Sequence, residues 1–456
     1  MENSWPVVRI GDYCSKIGSG ATPRGGSNVY QDSGEICLVR SQNIYNNGFK
    51  FDGLVYIDEE SATKLKNVVL EPNDILLNIT GDSVARVCLV DERVLPARVN
   101  QHVAIIRPNP SDFDARFLRY YLASPHAQSL LLNLASAGAT RNALTKLMIE
   151  NFEAPKPSID VQSKIADHLE ALELKILSNQ DINKTLEQMA QALFKSWFVD
   201  FDPVIDNAIA TGNDIPDALK HKAEQRKQAQ QLSDFKPLPD DIRALFPSEF
   251  EQTNEPNIGI SGWIPKGWSA GSLSSLANFT SNRIDGTELT RDNYISTDNM
   301  LSNKGGVSTA SKVPDIKTTP SFKPGDILIS NIRPYFQKIW FATFSGGRSN
   351  DVLGFEAIDE QCKEYLLNLL YQDVFFDYMM TTSKGSKMPR GDKKAIMDWP
   401  VVIPPSSLQK FFSEHVKNYY QVIPMRNKES EALSMLRDTL LPKLISGELP
   451  LNKDVE

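Results

Sequence analysis

The sequence predicts an α+β protein: two mixed α/β domains in a pseudo-twofold repeat, with two long helices that pair as an antiparallel coiled coil. Apolar residues of the first half recur in the second at an offset of 247, as Leu186 and Leu433, Met189 and Leu436, and Leu193 and Leu440. Short β-rich runs bounded by Gly and Asn occur in both halves and are typical of strands and turns. In both halves a proline break then precedes a helical pattern.

Length and motif order divide the chain into five segments. A chain of 456 residues with 41% apolar content is too long for one core and long enough for two domains of about 150 residues. We predict globular domains at 1–156 and 261–403, a helix at 157–200, a connector at 201–260, and a second helix with a tail at 404–456. The connector helix at 218–232 has little apolar face, so it packs on a partner or on the long helices, or else is a solvated linker.

Composition narrows the class of protein. The four cysteines are scattered without a CxxC pair and lie far in sequence from the five histidines, which favours a reduced, cytoplasmic protein with no metal site. The first residues lack an apolar core segment, and no stretch near 18 apolar residues follows. We therefore expect neither secretion nor membrane insertion.

The net charge of -8 is unevenly distributed along the chain. Residues 1–155 carry 15 basic and 17 acidic side chains, and residues 256–400 carry 16 basic and 15 acidic ones, so the two globular domains are nearly neutral. The remaining 18 basic and 25 acidic residues lie in the helices and the connector. A near-neutral domain can bind phosphates if its bases cluster on one face, so the overall charge does not exclude a nucleic-acid partner.

Both long helices show a seam of apolar residues in heptads. In the first helix the seam has two 7-residue series that begin at Ile165 and Leu169, with the 4,3 spacing of a coiled coil. Polar residues interrupt the middle of both seams, at Asn179 and Asn183 in the first helix and at Arg426 and Ser430 in the second. Antiparallel pairing brings these polar positions together and fixes the register. Alternatively, each helix is an amphipathic core helix of its own domain. Pro424 is expected to kink or delay the second helix.

Four longer motifs resemble one protein family. LFKSWFVDFDP at 193–203 and LLPKLISGEL at 440–449 look like the central and C-terminal conserved regions of the specificity subunits of type I restriction-modification systems. LFPSEF at 245–250, followed by GWIPKGW at 262–268, is similar to the lead-in to the second target-recognition domain of that family. The motifs occur in the family's order and cover the full architecture.

The resemblance implies that each globular domain reads one half of a split double-stranded DNA sequence. It also implies that the two helices set the gap and dock two methyltransferase subunits, through which restriction subunits join. S-adenosylmethionine, ATP and magnesium then belong to those partner subunits, and this chain has no cofactor of its own. The predicted spacer or partner-binding residues are Leu186, Leu193, Phe194, Trp197, Phe198, Leu433, Leu440, Leu441 and Leu444.

A search for catalytic motifs agrees with a non-catalytic subunit. An adenine-N6 methyltransferase needs Asn or Asp before Pro-Pro and an aromatic residue after it, but Pro404-Pro405 lies between Ile403 and Ser406. The sequence also contains no Walker A phosphate loop. We therefore predict no catalytic residue and no metal ligand. The alternatives are a self-sufficient methyltransferase or nuclease with divergent motifs and, more weakly, a coiled-coil scaffold without a DNA role.

DNA contacts are expected from loops that present basic, amide and hydroxyl side chains, because these match phosphates and base edges. In the first domain the candidates are Arg40, Gln42, Asn43, Arg86, Thr140, Arg141, Asn142 and Lys146. In the second they are Thr297, Asn299, Arg333, Tyr335, Lys384, Lys387, Arg390, Lys393 and Lys394. We match Arg86 with Arg333 as residues that follow equivalent strands. The alternatives are that the first loop of each domain is a polar turn capping a strand end, and that the basic run at 384–394 is a solvated loop.

Overall fold

The computed structural model of the chain describes residues 5–136, 142–385 and 387–449. The chain forms two compact units, and unit 1 combines two distant parts of the sequence. Unit 1 consists of residues 1–179 and 428–456, and unit 2 consists of residues 180–427. The division falls within both long helices, so each unit contains one part of each helix. The predicted Thr140 and Arg141 lie outside the described residues.

Unit 1 is built around an antiparallel sheet with the strand order β2-β10-β7-β8. Its strands are β1 (Val7–Arg9), β2 (Cys14–Ser19), β3 (Ile36–Val39), β4 (Ile44–Tyr45), β5 (Gly48–Phe49), β6 (Val55–Ile57), β7 (Ile75–Asn78), β8 (Val87–Leu89), β9 (Ala97–Val99), β10 (Val103–Pro108) and β11 (Glu153–Pro155). Its shorter helices are α1 (Glu59–Lys64), α2 (Ala115–Ala123), α3 (Pro125–Ser136) and α4 (Lys146–Glu150). A second sheet, β6-β3-β9, contains the parallel pair β3–β9.

Unit 2 repeats this plan with the antiparallel sheet β15-β22-β19-β20. Its strands are β12 (Phe250–Gln252), β13 (Trp263–Pro265), β14 (Ser269–Ser272), β15 (Ala277–Phe279), β16 (Arg283–Asp285), β17 (Tyr294–Ile295), β18 (Thr318–Phe322), β19 (Ile327–Ser330), β20 (Ile339–Phe341), β21 (Gly346–Arg348), β22 (Val352–Ala357) and β23 (Pro400–Ile403). Its shorter helices are α6 (Asp202–Thr211), α7 (Asp217–Gln230), α8 (Asp240–Arg243), α9 (Lys363–Leu370), α10 (Asp373–Thr381) and α11 (Lys393–Met397). The second sheet again contains a parallel pair, β17–β21.

The sequence also predicts one helical stretch in each globular domain, at 114–134 and at 360–380, and in the structure each stretch is divided into two helices. In unit 1, Asp114 caps α2 by accepting hydrogen bonds from the amides of Arg116 and Phe117. Pro125 begins α3, because proline is tolerated in the first turn of a helix but not in its interior. In unit 2, α9 ends at Leu370 and α10 begins at Asp373. The predicted α+β fold class with two repeated domains and two long helices is confirmed.

The two long helices are α5 (Ile159–Phe194), with 36 residues, and α12 (Ser406–Ser446), with 41 residues. At 1.5 Å per residue they extend about 54 and about 61 Å. A π-helical turn, Lys195–Val199, follows α5. The expectation that Pro424 would delay the start of the second helix is wrong, because α12 begins at Ser406 and continues through this proline. The Gln162 and Gln409 amides, at the predicted offset of 247, donate to the carbonyls of Pro157 and Pro404 at the two helix starts.

Within each unit the two helices run antiparallel. In unit 1, Glu173 lies 3.6 Å from Arg437, and farther along α5 the Asn179 amide donates to Glu429 (2.8 Å) and Ser430 (3.4 Å). In unit 2, the Asn183 amide donates to Asn427 at 2.8 Å, and the Trp197 ring lies 6.0 Å from that of Phe412. Each α5 residue with a higher number thus meets an α12 residue with a lower one. Antiparallel pairing through polar central positions is therefore confirmed.

The helix ends also contribute to the cores, but each long helix is shared between the two units instead of belonging to its own domain as the alternative interpretation proposed. In unit 1, Ile165 and Leu169 of α5 are buried in one cluster with Leu441, Leu444 and Ile445 of α12. In unit 2, the buried cluster joins the end of α5 and the start of α12; it includes Ala190, Phe194, Trp197, Phe198, Leu408, Phe412 and Val416. Both long helices therefore contribute to the core of each unit.

We predict that the end of α12 stabilises unit 1, although more than 250 residues separate it from that unit's other segments. Leu444 is 3% exposed, so Leu444→Ala is expected to lower the free energy of unfolding of unit 1 by about 2–5 kcal/mol through lost burial and a cavity. Leu436 lies on the same helix and is 46% exposed, so Leu436→Ala is expected to change it by at most about 0.5 kcal/mol.

Hydrogen exchange read by mass spectrometry across residues 5–136 measures both variants, because it reports the opening of unit 1 separately from that of unit 2. Faster exchange in Leu444→Ala alone is the expected result. Equal exchange in the two variants contradicts a role of α12 in this core.

Candidate nucleic-acid interface

In unit 1 three chain segments meet where β7 ends. The side-chain amide of Asn78 donates to the carbonyl of Ser41 at 2.9 Å, which holds the loop after β3 against this strand end. Thr80 forms a bridge with Ala143, and the Leu144 amide donates to the carbonyl of Ile79 at 2.9 Å. The predicted residues Arg40, Gln42, Arg86, Asn142 and Lys146 lie on these three segments.

The same three segments meet in unit 2 at the end of β19. Ile332 forms a bridge with Arg390, as Thr80 does with Ala143. The Arg333 amide donates to the carbonyl of Pro389 at 2.8 Å. The Lys338 ammonium donates to the carbonyl of Thr297 at 2.7 Å, which connects the loop after β17 to this site. The predicted Thr297, Arg333, Tyr335, Lys384 and Arg390 are therefore on connected segments, at a place that corresponds to the surface of unit 1.

Two predicted base readers, Asn43 and Asn299, are buried turn residues. Asn43 accepts a hydrogen bond from the Arg40 amide and donates to the carbonyls of Lys50 and Asp52. Asn299 accepts from the Ser296 amide and donates to the carbonyls of Tyr294 and Ser308. Because both carboxamides are committed to backbone groups and are 0% and 5% exposed, the turn-capping alternative describes them better than base recognition does. Gln42, which donates to the carbonyl of Gly53 at 3.2 Å, is exposed.

The basic run at 384–394 is partly neutralised by carboxylates. Lys384 lies 2.6 Å from Asp392, and Arg390 lies 3.2 Å from Asp351. The hydrogen bond between Lys384 and Asp392 raises the pKa of the lysine and lowers that of the aspartate. The other predicted bases of the run are exposed and form no ion pair within the described residues: Lys387, Lys393 and Lys394.

The other predicted loop residues differ in backbone geometry, exposure and contacts. Arg333 has φ 51°, in a left-handed region that few non-glycine residues adopt, and Pro334 follows it. Tyr335 is 52% exposed and its ring lies 4.7 Å from that of Phe336. In unit 1, Lys146 forms an exposed pair with Glu150 at 3.4 Å, which contributes little stability.

The strand register corrects one predicted match and shows a residue that the sequence analysis missed. Ile75 pairs with Leu89 in unit 1, and Ile327 pairs with Phe341 in unit 2, at a common offset of 252. This offset matches Arg86 with Lys338, not with Arg333. The signal was available in the sequence, because two similar motifs, PNDIL at 72–76 and PGDIL at 324–328, have the same offset.

Most of the predicted spacer or partner-binding residues are turned toward the cores. Phe194, Trp197 and Phe198 are at most 6% exposed within unit 2, and Leu441 and Leu444 are at most 6% exposed within unit 1. The others, Leu186, Leu193, Leu433 and Leu440, are half-buried. Apolar side chains that the long helices leave accessible are different ones: Leu174, Leu177, Met189, Met425, Met435 and Leu436.

The described residues give little support for a reactive thiol or a metal-binding site. The four cysteines are free, and burial raises the pKa of the Cys14 and Cys37 thiols to about 12 and about 11; a thiol that stays protonated is a poor nucleophile. Across residues 5–136, 142–385 and 387–449, no group of three His, Cys, Asp or Glu side chains is placed to hold a metal ion. Over the same ranges, no helix combines the length and apolar character needed to cross a membrane.

Comparison with known proteins agrees with the two-domain arrangement. The model of the type I restriction modification DNA specificity domain matches residues 2–188. The HindI specificity subunit of Haemophilus influenzae is 22% identical over 98% of this chain and 100% of its own length. The MjaIX specificity subunit of Methanocaldococcus jannaschii is also 22% identical, over 98% of this chain and 94% of its own length. The crystal structure of the type I S subunit from M. genitalium has the same fold, with a TM-score of 0.55, 14% identity, and coverage of 98% and 97% of the two chains.

Two repeated mixed domains with two long helices are the architecture that this chain shares with the type I S subunit from M. genitalium. Residues 2–188 match the DNA specificity domain of type I restriction modification systems, and the two named relatives are type I specificity subunits, which agrees with what the motifs predicted. The names of its relatives also support the prediction that it is not itself the enzyme. The individual DNA contacts remain predictions.

We predict that the basic segment of unit 2 contributes to DNA binding through its charge. Replacing Lys384, Lys387 and Arg390 together by Ala removes three positive charges and leaves Asp392 and Asp351 without these partners. Affinity for duplex DNA is expected to fall, and the slope of log K against log salt is expected to flatten by at least about one, because fewer counterions are released. Fluorescence anisotropy across a salt series measures both quantities.

Lys266→Ala is the matched control, since Lys266 is an exposed lysine of unit 2 that pairs with Glu249 outside the three segments. It is expected to leave the slope unchanged. If the triple variant keeps the affinity and slope of the unmodified chain, the basic segment does not face DNA.

Proposed function

We propose that this chain selects the DNA sequence for a type I restriction-modification complex, with each unit reading one half of a bipartite double-stranded site. The observation that carries the proposal is that both units assemble a surface from the same three segments around the same strand end. The side chains on these surfaces differ: unit 1 presents Arg40, Gln42 and Asn142, whereas unit 2 presents Thr297, Tyr335 and the basic segment. Similar scaffolds with different loops fit two unrelated half-sites.

The long helices are assigned to spacing and to partner docking. We expect them to set the gap between the half-sites, which lie roughly one helical turn or about 34 Å apart if both major grooves face the same side. Two methyltransferase subunits dock on the helices, and restriction subunits join through them, in the cytoplasm. The exposed Leu174, Leu177 and Met435 are better placed for docking than the buried aromatic residues.

Catalysis and its cofactors are assigned to the partners. S-adenosylmethionine, ATP and magnesium act in the methyltransferase and restriction subunits, and this chain binds none of them. Transfer of a labelled methyl group, or magnesium-dependent cleavage, by the isolated chain would instead support a self-sufficient enzyme. Failure of the chain to bind any duplex, even with its methyltransferase partner, would support a scaffold.

We predict that shortening both long helices changes the gap. Deleting residues 176–182 together with 427–433 removes one paired heptad from each helix, and seven residues correspond to nearly two full turns, so the apolar seams stay aligned. The loss is about 10 Å of helix. A footprint of the chain with its methyltransferase partner is expected to show both half-sites with a shorter gap.

The control replaces exposed polar residues of the same two heptads and keeps their length, for example Gln180→Ala with Glu431→Ala. This variant is expected to keep the original gap. Protection with an unaltered gap in the shortened chain argues against the spacer role.

A further inference from the structure

Arg86 and Lys338 occupy the same position in the two units. Each immediately precedes the edge strand of its four-stranded sheet, β8 in unit 1 and β20 in unit 2. The Arg86 carbonyl accepts a hydrogen bond from the Asn78 amide at 2.8 Å, and the Lys338 carbonyl accepts one from the Ser330 amide at 3.1 Å. The equivalence therefore rests on backbone geometry as well as on the offset of 252.

Both side chains are held beside an aromatic ring. The Arg86 guanidinium lies 4.6 Å from the centre of the Tyr45 ring. The Lys50 ammonium lies 4.1 Å from the centre of the same ring. The Lys338 ammonium lies 5.7 Å from the centre of the Phe336 ring. A ring attracts a cation but does not cancel its charge. The contact therefore orients each base and leaves it available to an anion.

Neither base forms an ion pair with a carboxylate in the parts of the chain that the structure describes. Neighbouring bases of the two surfaces do, since Lys146, Lys384 and Arg390 pair with Glu150, Asp392 and Asp351. Arg86 and Lys338 are half-buried, so each side chain keeps part of its surface accessible to an anion from outside the chain.

Both bases also lie against the recognition loop of their own unit. The Lys338 ammonium donates to the carbonyl of Thr297 in the loop after β17. Arg86 stacks on Tyr45, which follows the corresponding loop after β3 directly, and the amide of Val87 donates to the Asn46 side chain at 2.9 Å. The sequences of the two loops differ, but the base beside each loop is retained.

We propose that Arg86 and Lys338 each bind one backbone phosphate of the half-site that their unit reads. This inference rests on the proposed function and adds an equivalent, sequence-independent anchor to each recognition surface. A phosphate accepts hydrogen bonds from a guanidinium or an ammonium, so arginine and lysine can fill the same place. The anchors fix the position of each loop on the duplex, and the residues that differ between the units then read the bases.

The test measures duplex binding by the chain in complex with its methyltransferase partner, across a salt series, with a cognate and a non-cognate duplex. Arg86→Ala and Lys338→Ala are each expected to reduce the slope of log K against log salt by about 0.9, the value for one phosphate. Each is expected to weaken binding to both duplexes by the same factor. Arg86→Lys and Lys338→Arg keep the charge and are expected to retain the slope.

Lys64→Ala in unit 1 and Lys266→Ala in unit 2 are the controls, because both lysines are exposed and paired with a glutamate. An unchanged slope in Arg86→Ala and Lys338→Ala overturns the inference, and so does a loss of affinity confined to the cognate duplex, which indicates base reading. Failure of the unmodified complex to prefer any bipartite site contradicts the proposed function instead, so the two failures are distinguishable.

Discussion

The structure depends on one constraint: unit 1 completes its hydrophobic core only with the distant end of α12, and unit 2 completes its core only when the two ends of its segment pack together. The core of unit 1 includes Leu441, Leu444 and Ile445 from the end of α12, beside Ile165 and Leu169 of α5. The core of unit 2 takes the end of α5 and the start of α12, where the rings of Phe194, Trp197 and Phe412 pack together. Since burial of large apolar side chains is the main stabilising contribution, antiparallel pairing of the helices is a condition for folding each unit. The helices are structural parts of the recognition units as well as candidates for a spacer.

In each unit one short helix, α2 in unit 1 and α9 in unit 2, packs on the long helices at an equivalent place, but with different chemistry. In unit 1, Arg119 of α2 is 5% exposed on its side chain and donates to Glu173 of α5 at 2.9 Å, and its other arm donates to the carbonyl of Asn46. In unit 2, the residue at the offset of 247 from Glu173 is Tyr420, whose hydroxyl donates to Asn368 of α9 at 3.0 Å. Gln191 of α5 donates to the same oxygen at 2.6 Å. A buried charged pair therefore corresponds to a neutral amide network. In unit 1 the contact between Arg119 and Asn46 also holds the β4–β5 hairpin, which contains Tyr45. This contact connects the long helices to Arg86, the proposed phosphate anchor.

The sequence was sufficient to predict the architecture, because the repeat, the proline breaks and the heptad seams are properties of sequence spacing. It was less informative about the site. Different regions repeat at different offsets, 247 for the glutamines that cap the long helices and 252 for the central strands, because the intervening loops differ in length. Matching by local appearance therefore paired Arg86 with Arg333 instead of Lys338. Burial was the other missing information: Asn43, Asn299 and Trp197 have side chains typical of binding surfaces, yet tertiary contacts place them inside the protein. The split of each predicted helical stretch into two helices likewise depended on local geometry.

Two similar scaffolds with different loops predict a bipartite DNA target. The most direct measurement is the methylation pattern of DNA modified by the chain reconstituted with its methyltransferase partner, read base by base over a genome. The account predicts one motif with two short specified blocks of unrelated sequence, separated by a gap of fixed length in which the bases are unspecified. A single continuous motif, or two blocks at variable distance, would contradict it.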